Sequence, residues 1–181
     1  MRLMRALGPG SVSSFLKIIL DVVFVALWVG VGAVGLILLA ALLLSFNPDL
    51  VGSMAMNVDM NGVTLARQWP TVVGGLLVAA VYLLGILVIV ARLRQIFATL
   101  MAGDPFHPDN VLRLRVIGLA LAGLELLRYA VWGASAWLLP GRNKVEPNLS
   151  LTAWFSVLVV FVLAEVFREG ARLRREAELT I

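Results

Sequence analysis

Glu125 and Arg128 stand three residues apart in the apolar stretch 116–139, and their types and spacing are the best placed in this sequence to do chemistry. Charged side chains inside a segment long enough to cross a bilayer are costly, so they should face protein or water and find a partner. Three-residue spacing lets the two pair with each other. Tyr129 lies one turn beyond Glu125 and Trp132 one turn beyond Arg128, which makes a phenol hydrogen bond and a cation–π contact available. Glu125, Arg128, Tyr129 and Trp132 are therefore a candidate ligand, ion or proton site within the membrane. The structural reading is a self-neutralised pair that locks one helix against its neighbours. Local pairing favours this reading, because a pair satisfied within one helix needs no ligand.

The other reactive side chains point to less. Met54, Met56 and Met60 could offer thioethers to Cu(I), but no histidine or cysteine accompanies them, and an apolar hairpin face explains them better. His107 is the one histidine and sits in a proline turn, with nothing nearby that makes it a metal ligand or a general base. The sequence has no cysteine, which removes disulfides, thiolate metal sites and a cysteine nucleophile. A glycine-rich phosphate loop, a metalloprotease helix motif, a serine elbow and paired catalytic carboxylates are all missing. The expectation is a protein that is not an enzyme and holds no metal or cofactor.

The elements that carry these residues follow from composition. The chain is 61% hydrophobic and 14% charged over 181 residues, against about a quarter charged in an ordinary soluble domain, so its natural solvent is lipid. The expected fold is all-α and integral to the membrane, one four-helix domain with spans at about 18–45, 71–91, 114–139 and 148–167. Val22–Leu44 is uncharged and too long for the apolar region of a cleaved signal peptide, so it reads as a retained span. Ser11, Ser13 or Ser14 can cap it, and Lys17 can pair with Asp21 four residues on. Phe46–Pro70 is the longest polar connection. Its alternation of Met54, Met56, Val58 and Met60, followed by Asn61-Gly62, predicts a short β-hairpin.

The second, third and fourth helices should outlast the lipid. After Ala91 the apolar spacing continues through Ile96, Phe97, Leu100 and Met101 until Gly103 stops it. Asp104-Pro105-Phe106-His107-Pro108 must be a turn, after which Asp109 or Asn110 caps the next helix. This gives a helical hairpin over 92–115. Beyond Phe167 a charged tail helix, 168–179, is laced by Glu169 with Arg172, Arg172 with Glu176 and Arg174 with Glu178. With the termini and the hairpin on one side, that side holds eleven basic residues and the other holds Arg67, Arg142 and Lys144. The positive-inside rule then places both termini in the cytoplasm and the methionine loop outside. Small residues four apart, Ala26 with Gly30, Gly75 with Ala79 and Gly118 with Ala122, suggest close helix packing.

Hairpin and tail carry more apolar surface than contact with anionic lipid requires. Phe97, Phe106, Arg113, Phe167, Arg168, Leu173 and Arg174 are the candidate partner-binding residues. Hairpin and tail could pack on one another, present a groove to a protein, or do both.

At Gly103-Asp104-Pro105-Phe106, with Asn110, Leu114 and Ile117-Gly118, and again at Phe167-Arg168-Glu169-Gly170-Ala171-Arg172-Leu173 with the ending Glu178-Leu179-Thr180-Ile181, the sequence resembles a bacterial family. This is the small four-span membrane family catalogued as domain of unknown function 2975, and the resemblance covers essentially the whole chain. It brings no activity. Members commonly stand beside a small helix-turn-helix regulator of the Xre/Cro type, which implies a membrane protein working with a cytosolic transcription factor. Neither the methionine loop nor the Glu125 and Arg128 pair takes a role from it. Two functions are expected, the first from the hairpin, the tail and the resemblance and the second from the intramembrane pair. One is a docking protein of the bacterial inner membrane that binds such a regulator through hairpin and tail, without touching nucleic acid itself. The alternative is a small oligomeric transporter, channel or ligand-binding bundle that uses Glu125 and Arg128.

Overall fold

The computed structural model describes residues 9–47, 49, 59–60, 63–138 and 149–179. Long helices account for most of them: α1 (Pro9–Ser45), α2 (Leu65–Met101), α3 (Pro108–Leu138) and α4 (Leu151–Glu178). Three of these, over Phe15–Ser45, Trp69–Met101 and Leu151–Ala177, are long and apolar enough to cross a membrane. α3, which carries Glu125 and Arg128, is not among the three. Ahead of α2, strand β1 (Asp59–Met60) pairs antiparallel with β2 (Val63–Thr64), Asp59 opposite Thr64 and Met60 opposite Val63. Leu65 opens α2, and Met54, Met56, Val58 and Asn61-Gly62 lie outside the described residues.

Several helix ends differ from their sequence expectation, each for a local reason. α1 starts at Pro9, so Ser11, Ser13 and Ser14 fall inside it; proline has the φ of a first helical residue and no N–H to leave unsatisfied there. α2 starts at Leu65 and keeps Pro70 within it, ahead of the expected start near 71. Proline this close to a helix start removes a single backbone bond from the opening turns. At the other end Gly103, at φ 80°, makes the left-handed stop that the sequence suggests. There the Asp104 N–H donates to Thr99 O (3.0 Å) and the Gly103 N–H to Leu100 O (3.1 Å), the paired bonds of a Schellman cap.

α3 is capped by neither Asp109 nor Asn110. Pro108 occupies its first position, and the His107 ring accepts at Nδ1 from the Asp109 N–H at 3.3 Å. Asn110 is freed for another task. α4 is one unbroken helix, capped by Ser150, whose Oγ accepts from the Ala153 N–H at 3.2 Å.

The chain divides into two compact units, Met1–Val25 with Gly85–Ile181, and Ala26–Leu84. In the second unit, the Trp69 indole donates to Ser45 Oγ at 2.8 Å, and that hydroxyl donates to Ala41 O at 2.8 Å, tying the end of α1 to the start of α2. In the first unit α3 packs along α4. Its buried apolar side chains are Leu87 and Val90 of α2, Leu114 and Ile117 of α3, and Val157, Ala164 and Ala171 of α4. Lipid is as apolar as leucine, so helices associate in it through tight packing and polar ties. The tight contacts are made by Gly85 against Leu124, Gly118 against the Phe161 ring, and Gly170 against Phe106. Gly30 and Gly75, expected in packing pairs, have open space where a Cβ would stand.

Candidate functional site

Two polar clusters stand out among the described residues of the first unit. Glu125 is buried, and its Oε1 accepts from Arg128 Nη2 at 2.5 Å along one turn of α3. The Arg128 guanidinium lies 5.2 Å from the centre of the Tyr129 ring, so Tyr129 supplies a cation–π face. The Tyr129 hydroxyl accepts from the Trp154 indole at 3.3 Å, which links this turn of α3 to the start of α4. Trp132 is half-buried, and its carbonyl accepts from Ser135 Oγ at 2.8 Å. No buried polar side-chain atom among the described residues lacks a hydrogen bond. Glu125 is thus satisfied by its own helix.

The second cluster is built around the turn between α2 and α3. Asn110 is wholly buried. Its Nδ2 donates to Thr99 Oγ1 (2.8 Å) and to Pro105 O (3.1 Å), and its Oδ1 accepts from Arg113 Nη1 (2.8 Å). Arg113 Nη1 also donates to Gln95 O at 3.2 Å, so one amide and one guanidinium hold the ends of α2 and α3 and the turn between them in register. Such a buried network is stiff when every member is satisfied.

The same turn is docked on α4. The Phe106 ring stacks at a tilt on Phe167, with centroids 5.7 Å apart, and covers Gly170 so closely that a Cβ there would stand 2.5 Å from Phe106 Cδ1. Asp104 accepts from Arg174 across this joint. Arg174 thereby ties α4 to the turn; the pair expected between Arg174 and Glu178 involves a side chain that lies outside the described residues. The intrahelical pairs Glu169 with Arg172 (2.6 Å) and Arg172 with Glu176 (3.5 Å) form as the spacing suggests, and Arg168 pairs with Glu165. α1 is tied in by Asp21, whose carboxylate takes Arg94 of α2 at 2.6 Å in place of the expected Lys17, while the Arg94 guanidinium covers the Phe24 ring at 4.2 Å. Phe97 lines the cleft beside this pair.

Of the expected partner-binding residues, Phe106, Phe167 and Arg174 are engaged within the chain and Arg113 holds the turn. Leu173 remains exposed, with Leu100 and Met101 of α2. Sequence reasoning missed Asn110 as a hub and Gly170 as a socket. A glycine inside a charged helix, where alanine is the better helix former, is the signal that could have found the second.

Among the described residues no group of histidine, cysteine and carboxylate side chains is arranged to hold a metal. Three apolar helices of membrane-crossing length, with a buried polar turn docked on one of them, define a helical membrane protein. The chain belongs to the family described as protein of unknown function (DUF2975), which matches residues 56–181. The match begins within the methionine loop and takes in α2, α3 and α4, leaving out α1, so it is narrower than the whole-chain resemblance expected. No curated protein and no solved structure matches the chain.

Proposed function

We propose that this protein is a docking protein of the bacterial inner membrane that binds a small cytosolic helix-turn-helix regulator of the Xre/Cro type. In this reading α3 crosses the bilayer with the other three helices. The arginine-rich ends of α2, α3 and α4 and both termini face the cytoplasm, as the distribution of basic residues favours. One observation carries the proposal: the hairpin turn and the α4 tail are joined through Phe106, Phe167, Gly170 and the Asp104–Arg174 pair. A joined hairpin and tail can act as one surface, and Leu100, Met101 and Leu173 stay exposed on its helices, more apolar area than a lipid-facing basic surface uses. The transport reading has less support, because Glu125 and Arg128 already satisfy one another.

The test is crosslinking and affinity purification of the full-length protein from its native membrane, followed by mass spectrometry. A small helix-turn-helix protein should be recovered, and Leu173→Asp should abolish its recovery while the membrane protein still folds. Recovery of the membrane protein alone, or only with itself, would remove the docking reading.

A further inference from the structure

A cleft of about 460 Å³ opens between the ends of α2 and α3, lined by Arg92, Gln95, Asp109, Leu112, Arg113 and Val116. We infer that this cleft binds the phosphodiester headgroup of an anionic phospholipid, with Arg92 and Arg113 as its two guanidinium donors. The inference stands apart from the docking reading and needs only that α2 crosses the bilayer.

Position is the first argument. Arg92 directly follows the uncharged run 72–91 of a membrane-length helix, which sets its guanidinium at the level of lipid headgroups. Leu112 and Val116 stand four apart on α3, and Leu112 is 65% exposed, so the cleft also offers apolar contact beside its charged groups.

Charge is the second. Among the described residues no carboxylate pairs with Arg92; its Nη1 donates to the neutral Gln95 Oε1 at 3.0 Å. Arg113 is already fixed by Asn110 and by Gln95 O, with its side chain only 19% exposed. Its nearest carboxylate, Asp109 Oδ2, is 3.7 Å from Nη2, too far for a direct hydrogen bond, and the Asp109 side chain is 64% exposed. Two guanidiniums and one carboxylate leave the cleft with one positive charge. A phosphodiester with an uncharged headgroup carries one negative charge and presents oxygens that guanidinium forks match. Arg113 is held in place before any ligand arrives, so only Arg92 has to be ordered on binding. A basic recess between membrane helices is the usual setting for such a headgroup.

Native mass spectrometry of the full-length protein in an uncharged detergent tests this, with phosphatidylglycerol, phosphatidylcholine and inorganic phosphate titrated separately. Saturable retention of phosphatidylglycerol over phosphatidylcholine is expected. Arg92→Gln should weaken that retention about fivefold, the effect of one basic residue at a membrane surface. Asp109→Asn should strengthen it, since it removes the opposing charge. Arg115→Gln, an exposed arginine outside the cleft, should leave it unchanged. Equal loss from Arg92→Gln and Arg115→Gln would show diffuse surface attraction and overturn the site. Displacement of the lipid by inorganic phosphate at equal concentration would overturn the lipid as its source. Arg113→Gln is avoided as the deciding variant because Arg113 also holds the hairpin.

Discussion

The Glu125–Arg128 pair and the Asn110 cluster are both polar groups in a lipid-solvated protein, yet they do opposite jobs. The first closes on itself within one turn of α3 and asks little of its neighbours beyond the Tyr129 to Trp154 link. The second reaches beyond its own helix, to α2 through Thr99 and to the turn through Pro105. Its continuation through Phe106 and Asp104 reaches α4. A polar pair closed within one helix can be exchanged for an apolar one with little structural consequence. A cluster that bridges elements cannot, because removing one member takes a hydrogen bond from several elements at once.

Asn110→Ala should separate the two clusters most sharply. It strips partners from the Pro105 carbonyl and the Thr99 hydroxyl and removes one of the anchors of Arg113, so a loss of about 3 kcal/mol is expected in thermal unfolding in mild detergent. A change below 1 kcal/mol would put the cluster on the same footing as the intrahelical pair. Next in size is Glu125→Gln, which leaves Arg128 without its carboxylate and should lower the melting temperature. Adding Arg128→Met should restore most of that loss, since both charges are then gone. If the double variant melts normally but loses a transport or ligand phenotype, the pair is functional and the comparison reverses.

Gly170→Val comes third. The new side chain would collide with the Phe106 ring and should cost about 1–3 kcal/mol, although the same change on an open helix face would be mild. Phe106→Ala in the same chain should relieve it, and a double-mutant cycle reads the coupling directly. Smallest is Asp104→Asn, which removes a partly exposed ion pair worth about 0.2–1 kcal/mol, with an effect that should shrink as salt is raised. A large and salt-insensitive effect would instead mean that Asp104 positions the turn through its backbone cap.

Much of this architecture was legible because membrane helices announce themselves by unbroken apolar length. The stop at Gly103, the turn at Asp104–Pro108 and the Glu125–Arg128 pair needed only spacings of a few residues, as did the ion pairs along α4. Two of the misreadings are cases where a side chain had a choice of partner or task. Lys17 and Arg94 compete for Asp21, and Arg94 wins because it is also supported by the Phe24 ring. Asn110 was read as a helix cap, a task left to His107 because Pro108 fixes the first turn and turns Asn110 inward.

The sequence by itself determined that the chain is helical and lipid-solvated, where three of its helices run, and where the arginines near the ends of α2 and α4 cluster. These are properties of composition and of bonds between residues at most a few positions apart. Only the tertiary structure decided that the hairpin and the tail are joined, that Gly170 is a socket for Phe106, and that Arg92 and Arg113 share one cleft. Phe106 and Gly170 are far apart in the chain. In lipid no burial of apolar area singles out one such pairing over another, so shape and hydrogen bonding across helices make the choice.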